Sequence, residues 1–297
     1  MGRLAQLLVG VALLVGCTSS VPAPTREAAD LTLPRGAQDV PLRGGPEIRI
    51  SADAVSVEGV RVVRLMGGRA SSEQLPTDAP LRVELANVAG RGREEARRSG
   101  KEWDERVVIL ADHATPFATL GDTLFTAAMV GFRSFELVVT DGRVRHVQPL
   151  SPPREWFPPD PDIKLERALL FEFVVGPDGV TVGLGGRSNR KFGLSAACPP
   201  APNGCYDYAA IGAFAAEIKA KYPNEVMSTF RVDGEVPLQA LVTLIDAVSG
   251  VDCRISRALA GEKVPDECLF WQPIVDFNPR VRVPGWERAP PTAALWR

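Results

Sequence analysis

The chain has 297 residues, which exceeds one ordinary domain and suits two. Its hydrophobic content of 45% and charged content of 24% are typical of globular proteins and supply enough apolar material for two cores. A formal net charge of −2 excludes a general electrostatic attraction to nucleic acid.

The N-terminus has the features of a bacterial lipoprotein signal. Arg3 precedes the apolar run LAQLLVGVALLVG at residues 4–16, which has the length of a secretory signal and is short for a bilayer span. The run leads into LVGC, which resembles a lipobox, so signal peptidase II would cleave before Cys17 and the Cys17 thiol would carry a diacylglycerol. An ordinary signal peptide with a chance cysteine is the alternative. Thr18 follows the predicted lipidated cysteine, at the position where an Asp would favour retention in the inner membrane. Because the residue here is Thr, the outer membrane is favoured in a Gram-negative host.

Residues 18–46 are rich in Pro, Ala, Ser and Gly and are predicted to form a flexible tether. Export to an oxidising compartment would make the four remaining cysteines candidates for disulfides. Of the three possible connectivities we favour Cys198–Cys205 with Cys253–Cys268, because each pair brackets a loop-like segment. Each bridge would stabilise the fold by about 2–4 kcal/mol. A zinc site is the alternative, but no close Cys-x-x-Cys pair or nearby His supports it, and no metal or cofactor is expected.

Two phrases recur at nearly the same offset, which predicts an internal duplication. EGVRV at 58–62 is similar to DGVTV at 178–182, and GGR follows both. An Asp followed four residues later by Pro and then an apolar residue occurs at Asp112 and again at Asp233, 121 residues later. The Pro-rich stretch at 149–164 is predicted to be the linker between the copies.

Each copy contains the same order of predicted elements. Alternating apolar residues around a Glu-Gly or Asp-Gly pair predict a hairpin. A helix follows, and in copy two it begins after the predicted N-cap Asp207. The apolar face of that helix comprises Tyr208, Ile211, Phe214, Ala215 and Ile218. A short strand at 106–110 or 226–232 then leads into the recurring phrase.

The recurring phrase is predicted to be a strand-to-helix corner, not a chemical site. Asp112 and Asp233 would end strands and favour turns. Pro116 and Pro237 suit the first turn of a helix, where the missing N–H is no loss, and Thr115 could cap the first of these helices. Apolar residues recur at helical spacing after each Pro. They are Phe117, Leu120, Leu124 and Ala128 in one copy and Leu238, Leu241, Ile245 and Val248 in the other.

Residues 107–139 resemble the periplasmic domain of the ExbD/TolR family. The resemblance lies in a strand ending in Ala-Asp, a Pro followed by an aromatic residue, an amphipathic helix, a Gly-Phe pair and a final strand. These positions are Ala111, Asp112, Pro116, Phe117, Gly131 and Phe132. Copy two is similar in its hairpin, in AAEIKAKYPNE and in VDGEVPLQALVTLIDAVSG, and departs afterwards.

The resemblance implies an α+β fold with two tandem ExbD/TolR-periplasmic-like domains, each a small mixed sheet with two helices on one face. The expected organisation is a signal peptide at 1–17, a tether at 18–46, a first domain at 47–148, the linker at 149–164, a second domain at 165–280 and a tail at 281–297. Family members dimerise in the periplasm, so a duplicated domain could form a pseudo-dimer within one chain.

Family members also serve proton-motive-force machines through an inner-membrane helix that carries an Asp. The only long apolar run of this chain contains no acidic residue, so we expect it to conduct no protons. A non-enzymatic function is expected, because no set of nucleophile, base and orienting residue can be assembled. His113 is predicted to be a surface histidine that points away from its neighbour Asp112. The Gly-rich GLGGRSNR at 183–190 is expected to be a loop, with a phosphate cradle as the alternative.

The sequence therefore predicts an envelope lipoprotein that acts as an accessory, partner-binding component of a proton-motive-force-linked transport complex. A structural factor that binds peptidoglycan or another surface component is the alternative, and an enzyme of unrecognised type is the third hypothesis. Motor or receptor proteins of the envelope would be its partners, and Cys17 its link to the membrane. An open sheet edge or the tail with Trp286 and Trp296 would contact them, unless these Trp residues are incidental.

Overall fold

A computed structural model describes residues 31–70, 79–152, 170–195, 205–250, 252–256 and 265–276. These residues form an α+β structure of four helices and two mixed sheets. The first half contains β1 (Val40–Pro41), β2 (Glu47–Ile50), β3 (Ala54–Val57), β4 (Val60–Met66), β5 (Arg69–Ala70), α1 (Ala79–Ser99), β6 (Arg106–Ala111), α2 (Phe117–Met129), β7 (Ser134–Thr140) and β8 (Arg145–Leu150). The second half contains β9 (Phe171–Gly176), β10 (Gly179–Leu184), β11 (Arg187–Phe192), α3 (Tyr208–Lys221), β12 (Met227–Val232), α4 (Leu238–Ser249) and β13 (Gln272–Asp276).

The two halves repeat one topology. The eight-stranded sheet has the order β1-β8-β7-β6-β2-β3-β4-β5, and the five-stranded sheet has the order β11-β10-β9-β12-β13. In both, an antiparallel three-strand meander (β2-β3-β4 or β9-β10-β11) is followed by a helix, a parallel central strand, a second helix and a second parallel strand. The first half adds β1, β5 and β8 to this common unit.

The strand registers show which residues of the two halves are equivalent. Ile48 of β2 lies opposite Ile109 of β6, as Phe173 of β9 lies opposite Phe230 of β12. Val57 of β3 in turn pairs with Ile48. Val182 of β10 likewise pairs with Phe173. The phrase DGVTV at 178–182 is therefore equivalent to DAVSV at 53–57, and the predicted match to EGVRV at 58–62 is wrong by one strand.

Strand alternation places the core of the first half on one face of its sheet. Ile109 and its same-face neighbours belong to the main core cluster, together with Leu85 of α1 and Leu124 of α2. The intervening residues Val108, Leu110 and Val138 form a separate cluster on the opposite face. Both helices of the first half therefore cover the same face of the sheet, as the resemblance implies. The main cluster is continuous with the core of the second half.

Local sequence explains where the helices begin and how α1 packs. Asp207 caps α3 by accepting a hydrogen bond from the Ala210 N–H at 3.0 Å, as predicted. The indole of Trp103 packs directly against Gly92 of α1. A Cβ at Gly92 would lie only 2.6 Å from the Trp103 Nε1, so this contact requires glycine. The guanidinium of Arg93 lies 4.8 Å from the centre of the Trp103 rings. Gly92 thus leaves room for Trp103 to pack against α1.

Residues 31–41, which the sequence assigns to a flexible tether, lie against both halves of the structure. We call this segment the strap. Its Leu31 and Leu33 pack on the helix-free face of the first sheet, and Val40 and Pro41 pair with β8. The predicted linker also begins later than expected, because β8 continues to Leu150 and Ser151 forms a bridge with Ile274. Residues 153–164 lie outside the described part of the chain.

Candidate functional site at the seam between the two halves

The two recurring phrases meet each other where the halves join, a region we call the seam. Pro116 and Pro237 form an antiparallel bridge. On one side the Phe117 N–H donates to the Val236 carbonyl at 2.9 Å, and on the other the Leu238 N–H donates to the Thr115 carbonyl at 2.9 Å. These residues differ by the same offset as Asp112 and Asp233, so the contacts are reciprocal.

A second reciprocal pair extends this arrangement. The Ala118 N–H donates to the Gly234 carbonyl at 3.0 Å, and the Gln239 N–H donates to the His113 carbonyl at 2.9 Å. The first N–H groups of a helix have no partner within the helix. At the seam, each half supplies the carbonyl groups that satisfy the first turn of α2 or α4 in the other half. The halves are therefore related by a local pseudo-twofold axis at the seam.

The Asp of each recurring phrase forms the same turn in both halves. Asp112 Oδ1 accepts the Ala114 N–H at 2.9 Å, and Asp233 Oδ1 accepts the Glu235 N–H at 2.9 Å. Both turns direct the chain from the end of a central strand into a helix. Pro116 and Pro237 precede the helices as extended N-cap residues, one position earlier than predicted.

Thr115 does not cap α2, although the sequence favours that role. No side-chain hydrogen bond caps α2, and the Thr115 hydroxyl is buried without a partner in the described structure. Its carbonyl, not its hydroxyl, has the role at the helix start, because that carbonyl accepts from Leu238 of the opposite half. The capping function is thus exchanged between halves.

The strap binds the two halves alternately. On the first half, the Thr140 N–H donates to the Pro34 carbonyl at 2.9 Å and the Gly36 N–H donates to the Thr140 carbonyl at 3.2 Å. On the second half, the Gln239 side chain accepts from the Arg35 N–H and donates to the Arg35 carbonyl, both at 2.8 Å. Gly36 lies between Val139 of β7 and Val242 of α4, so closely that a larger residue would require these neighbours to shift.

Asp246 of α4 is a partly buried acidic contact of the strap. Its Oδ2 accepts the Ala37 N–H at 2.8 Å, and its Oδ1 accepts the Gln38 side-chain N–H at 3.1 Å. Burial raises the pKa of the Asp246 carboxyl, although both hydrogen bonds act in the opposite direction. Desolvation of this carboxylate therefore outweighs the hydrogen bonds that it receives.

The Cys253–Cys268 disulfide, which the sequence predicts, lies at the far end of the strap. The two cysteines are buried in one cluster with Val40 of the strap and Val147 of β8. Ser256 follows in the same loop, and its hydroxyl donates to Asp39 at 2.6 Å. This loop of the second half is thereby fixed to the first half.

The other predicted cysteine positions are only partly described. Cys205 is disulfide-bonded. Cys198, its predicted partner, and Cys17, the predicted lipidation site, lie outside the described residues.

The structure corrects two expectations about possible chemistry. His113 and Asp112 do not point apart, because the His113 Nδ1 lies 3.2 Å from the Asp112 Oδ1. Asp112 also accepts N–H bonds from Ala114 and from Thr32 of the strap. The predicted loop at 183–190 is instead the β10–β11 hairpin, whose turn is formed by Gly185 and Gly186 with φ of 59° and 79°.

Among the described residues, no group of three or more His, Cys, Asp or Glu side chains is arranged to hold a metal ion. In the same part of the chain, no helix is both long and apolar enough to cross a membrane. Comparisons with protein-family models, with curated proteins and with solved structures found no match.

Proposed function

We propose that the chain is a non-enzymatic lipoprotein of the bacterial cell envelope, anchored through Cys17, with two ExbD/TolR-like domains. It acts as an accessory, partner-binding component of a proton-motive-force-linked transport complex and has no proton-conducting helix of its own. The ExbD/TolR assignment rests on the resemblance of residues 107–139. The lipid anchor rests on LVGC at 14–17.

The observation that best supports this proposal is the reciprocal contact of the two copies at the seam. A domain that functions as a dimer gains a permanent partner when it is duplicated within one chain. Association of the two copies is then intramolecular, and the linker between them sets their effective concentration. The backbone bonds between Phe117 and Val236 and between Leu238 and Thr115 are what such a fused dimer requires. An isolated binding module has no need of this arrangement.

Lipidation and localisation are tested together in the native host. Cells are labelled with an alkyne-bearing fatty acid, and the protein is isolated from separated inner and outer membranes. We expect label on the wild-type chain and none on the Cys17→Ser variant. Equal labelling of the two would refute the anchor, and recovery of the wild-type chain from the soluble fraction would refute the localisation.

The partner class is tested by crosslinking in intact cells, followed by mass spectrometry of what remains attached to the chain. Motor or receptor proteins of the envelope are the expected result. Covalent attachment to cell-wall fragments alone would instead favour a structural role in binding peptidoglycan. The Cys17→Ser variant is the control, because it should lose these partners while keeping its fold.

A further inference from the structure

Strand β11 forms one end of the five-stranded sheet and is the longest strand at any sheet end in the described structure. The ends of the larger sheet are β1 and β5, which have two residues each. The opposite end of the smaller sheet, β13, is bonded to Ser151, whose carbonyl accepts the Val275 N–H at 2.8 Å. β11 has six residues, and its only strand partner in the described residues is β10.

The pseudo-symmetry of the halves shows how much of this edge the chain itself covers. The strand equivalent to β11 is β4, because each is the third strand of its meander. The chain turns back after β4, and β5 pairs with its outer edge through Leu65–Ala70 and Met66–Arg69. Just beyond β11, Leu194 likewise forms an antiparallel bridge with Tyr206, and the Ser195 N–H donates to the Cys205 carbonyl at 2.8 Å. Among the described residues, the outer edge of Arg187–Phe192 itself has no strand partner.

The charge of β11 indicates the chemistry of a strand that would bind there. Arg187, Arg190 and Lys191 are exposed, and the strand contains no acidic residue. The guanidinium of Arg190 lies 5.0 Å from the centre of the Phe192 ring and 5.4 Å from that of Phe214, so it also covers the core. Opposite charges on neighbouring strands stabilise their pairing, and like charges oppose it.

We propose that β11 is a docking edge for an extended acidic segment of a protein partner, which adds a sixth strand to the sheet. Main-chain hydrogen bonds supply the pairing, and Arg187 and Lys191 select for carboxylates. A segment of about six residues matches the strand, at about 3.3 Å per residue. This inference deepens the proposed function and rests on it in assuming a protein partner, but it is independent of the lipid anchor.

The test uses the purified chain with Cys17→Ser and a fluorescent peptide of alternating Glu and Val, six residues long. Fluorescence anisotropy measures binding. We expect the Arg187→Glu/Lys191→Glu variant to bind at least tenfold more weakly. The matched control is Arg97→Glu/Lys101→Glu, which makes the same charge change at the exposed end of α1 and should bind within twofold of the parent chain. A peptide with every backbone amide N-methylated should not bind.

Three results would overturn the proposal. Equal weakening by the two variant pairs would indicate only general charge attraction. Unchanged binding of the N-methylated peptide would exclude strand addition. Failure of the parent chain to bind, with self-association of the edge variant in sedimentation velocity, would show that the basic residues only protect the edge from pairing with another copy. None of these results depends on lipidation, so each is distinguishable from failure of the envelope assignment.

Discussion

Replacing Gly36 tests whether the strap holds the two halves together. A Cβ at this position would lie 3.0 Å from the Val242 Cγ1 and 3.3 Å from the Val139 Cβ, so any side chain is forced against both halves. Overpacking of this kind costs about 1–3 kcal/mol. That cost corresponds to roughly a 5- to 150-fold fall in the folding equilibrium constant. We expect the cost of Gly36→Leu to lie at the upper end of this range, since its longer side chain fits only if the strap or the two valines move.

Urea unfolding followed by circular dichroism measures the loss of stability, and limited proteolysis with mass spectrometry measures release of residues 31–41. Gly44→Leu is the matched control, because a Cβ there has no atom within 4 Å. If Gly36→Leu and Gly44→Leu unfold at the same urea concentration and the strap stays protected in both, the strap does not clamp the seam.

Three further perturbations address other parts of the structure. Gly92→Ala should destabilise the chain by about 1–3 kcal/mol, because its Cβ would meet the Trp103 indole. Gly90→Ala is the matched control on α1: it lies in open space and should stabilise the chain by about 1 kcal/mol. Thermal unfolding of both variants measures these changes. Loss of the Cys253–Cys268 disulfide, whose cysteines are 15 residues apart, should lower the free energy of unfolding by about 3 kcal/mol. A reductant should therefore lower the urea midpoint of the parent chain far more than that of the Cys253→Ala/Cys268→Ala variant. Because burial raises the pKa of Asp246, folding favours its protonated form, so its contribution to stability is present below its ordinary value of 3.8 and is lost as the pH rises through the folded value. Asp246→Asn should not show this loss of stability with rising pH. If the free energy of unfolding of the variant and the parent chain changed in parallel with pH, the raised pKa of Asp246 would be contradicted.

The duplication could be predicted from sequence because the corner depends on a few residue types. Asp233 and Pro237 repeat Asp112 and Pro116 since both corners need a side-chain acceptor in a turn and an extended residue before a helix. The hairpin match was wrong for a related reason. An Asp-Gly or Glu-Gly pair marks any tight turn, so EGVRV and DGVTV look alike although they follow different turns of the meander. The equivalent DAVSV has Ala54 where the second copy has Gly179.

The strap could not be predicted, because its partners are distant in sequence and its own bonds are largely made by the backbone. Arg35 and Gln239 are separated by 204 residues, and Asp39 and Ser256 by 217. A composition of Pro, Gly and Ala is typical of flexible tethers. Nothing in that composition distinguishes a free segment from one that is bound through main-chain N–H and carbonyl groups. The exchange of helix caps at the seam could not be predicted either, because it is made by main-chain groups of residues that are distant in sequence.

Joining both copies in one polypeptide allows them to diverge separately. A homodimer displays each of its surfaces twice, and an assembly built on such a dimer can continue in two directions. Among the described residues, the first copy has β5 beside the end of its meander, and the second has β11 as a six-residue outer strand. A binding partner that uses β11 would therefore attach once per chain, and the resulting complex would close at a one-to-one ratio instead of growing into a chain.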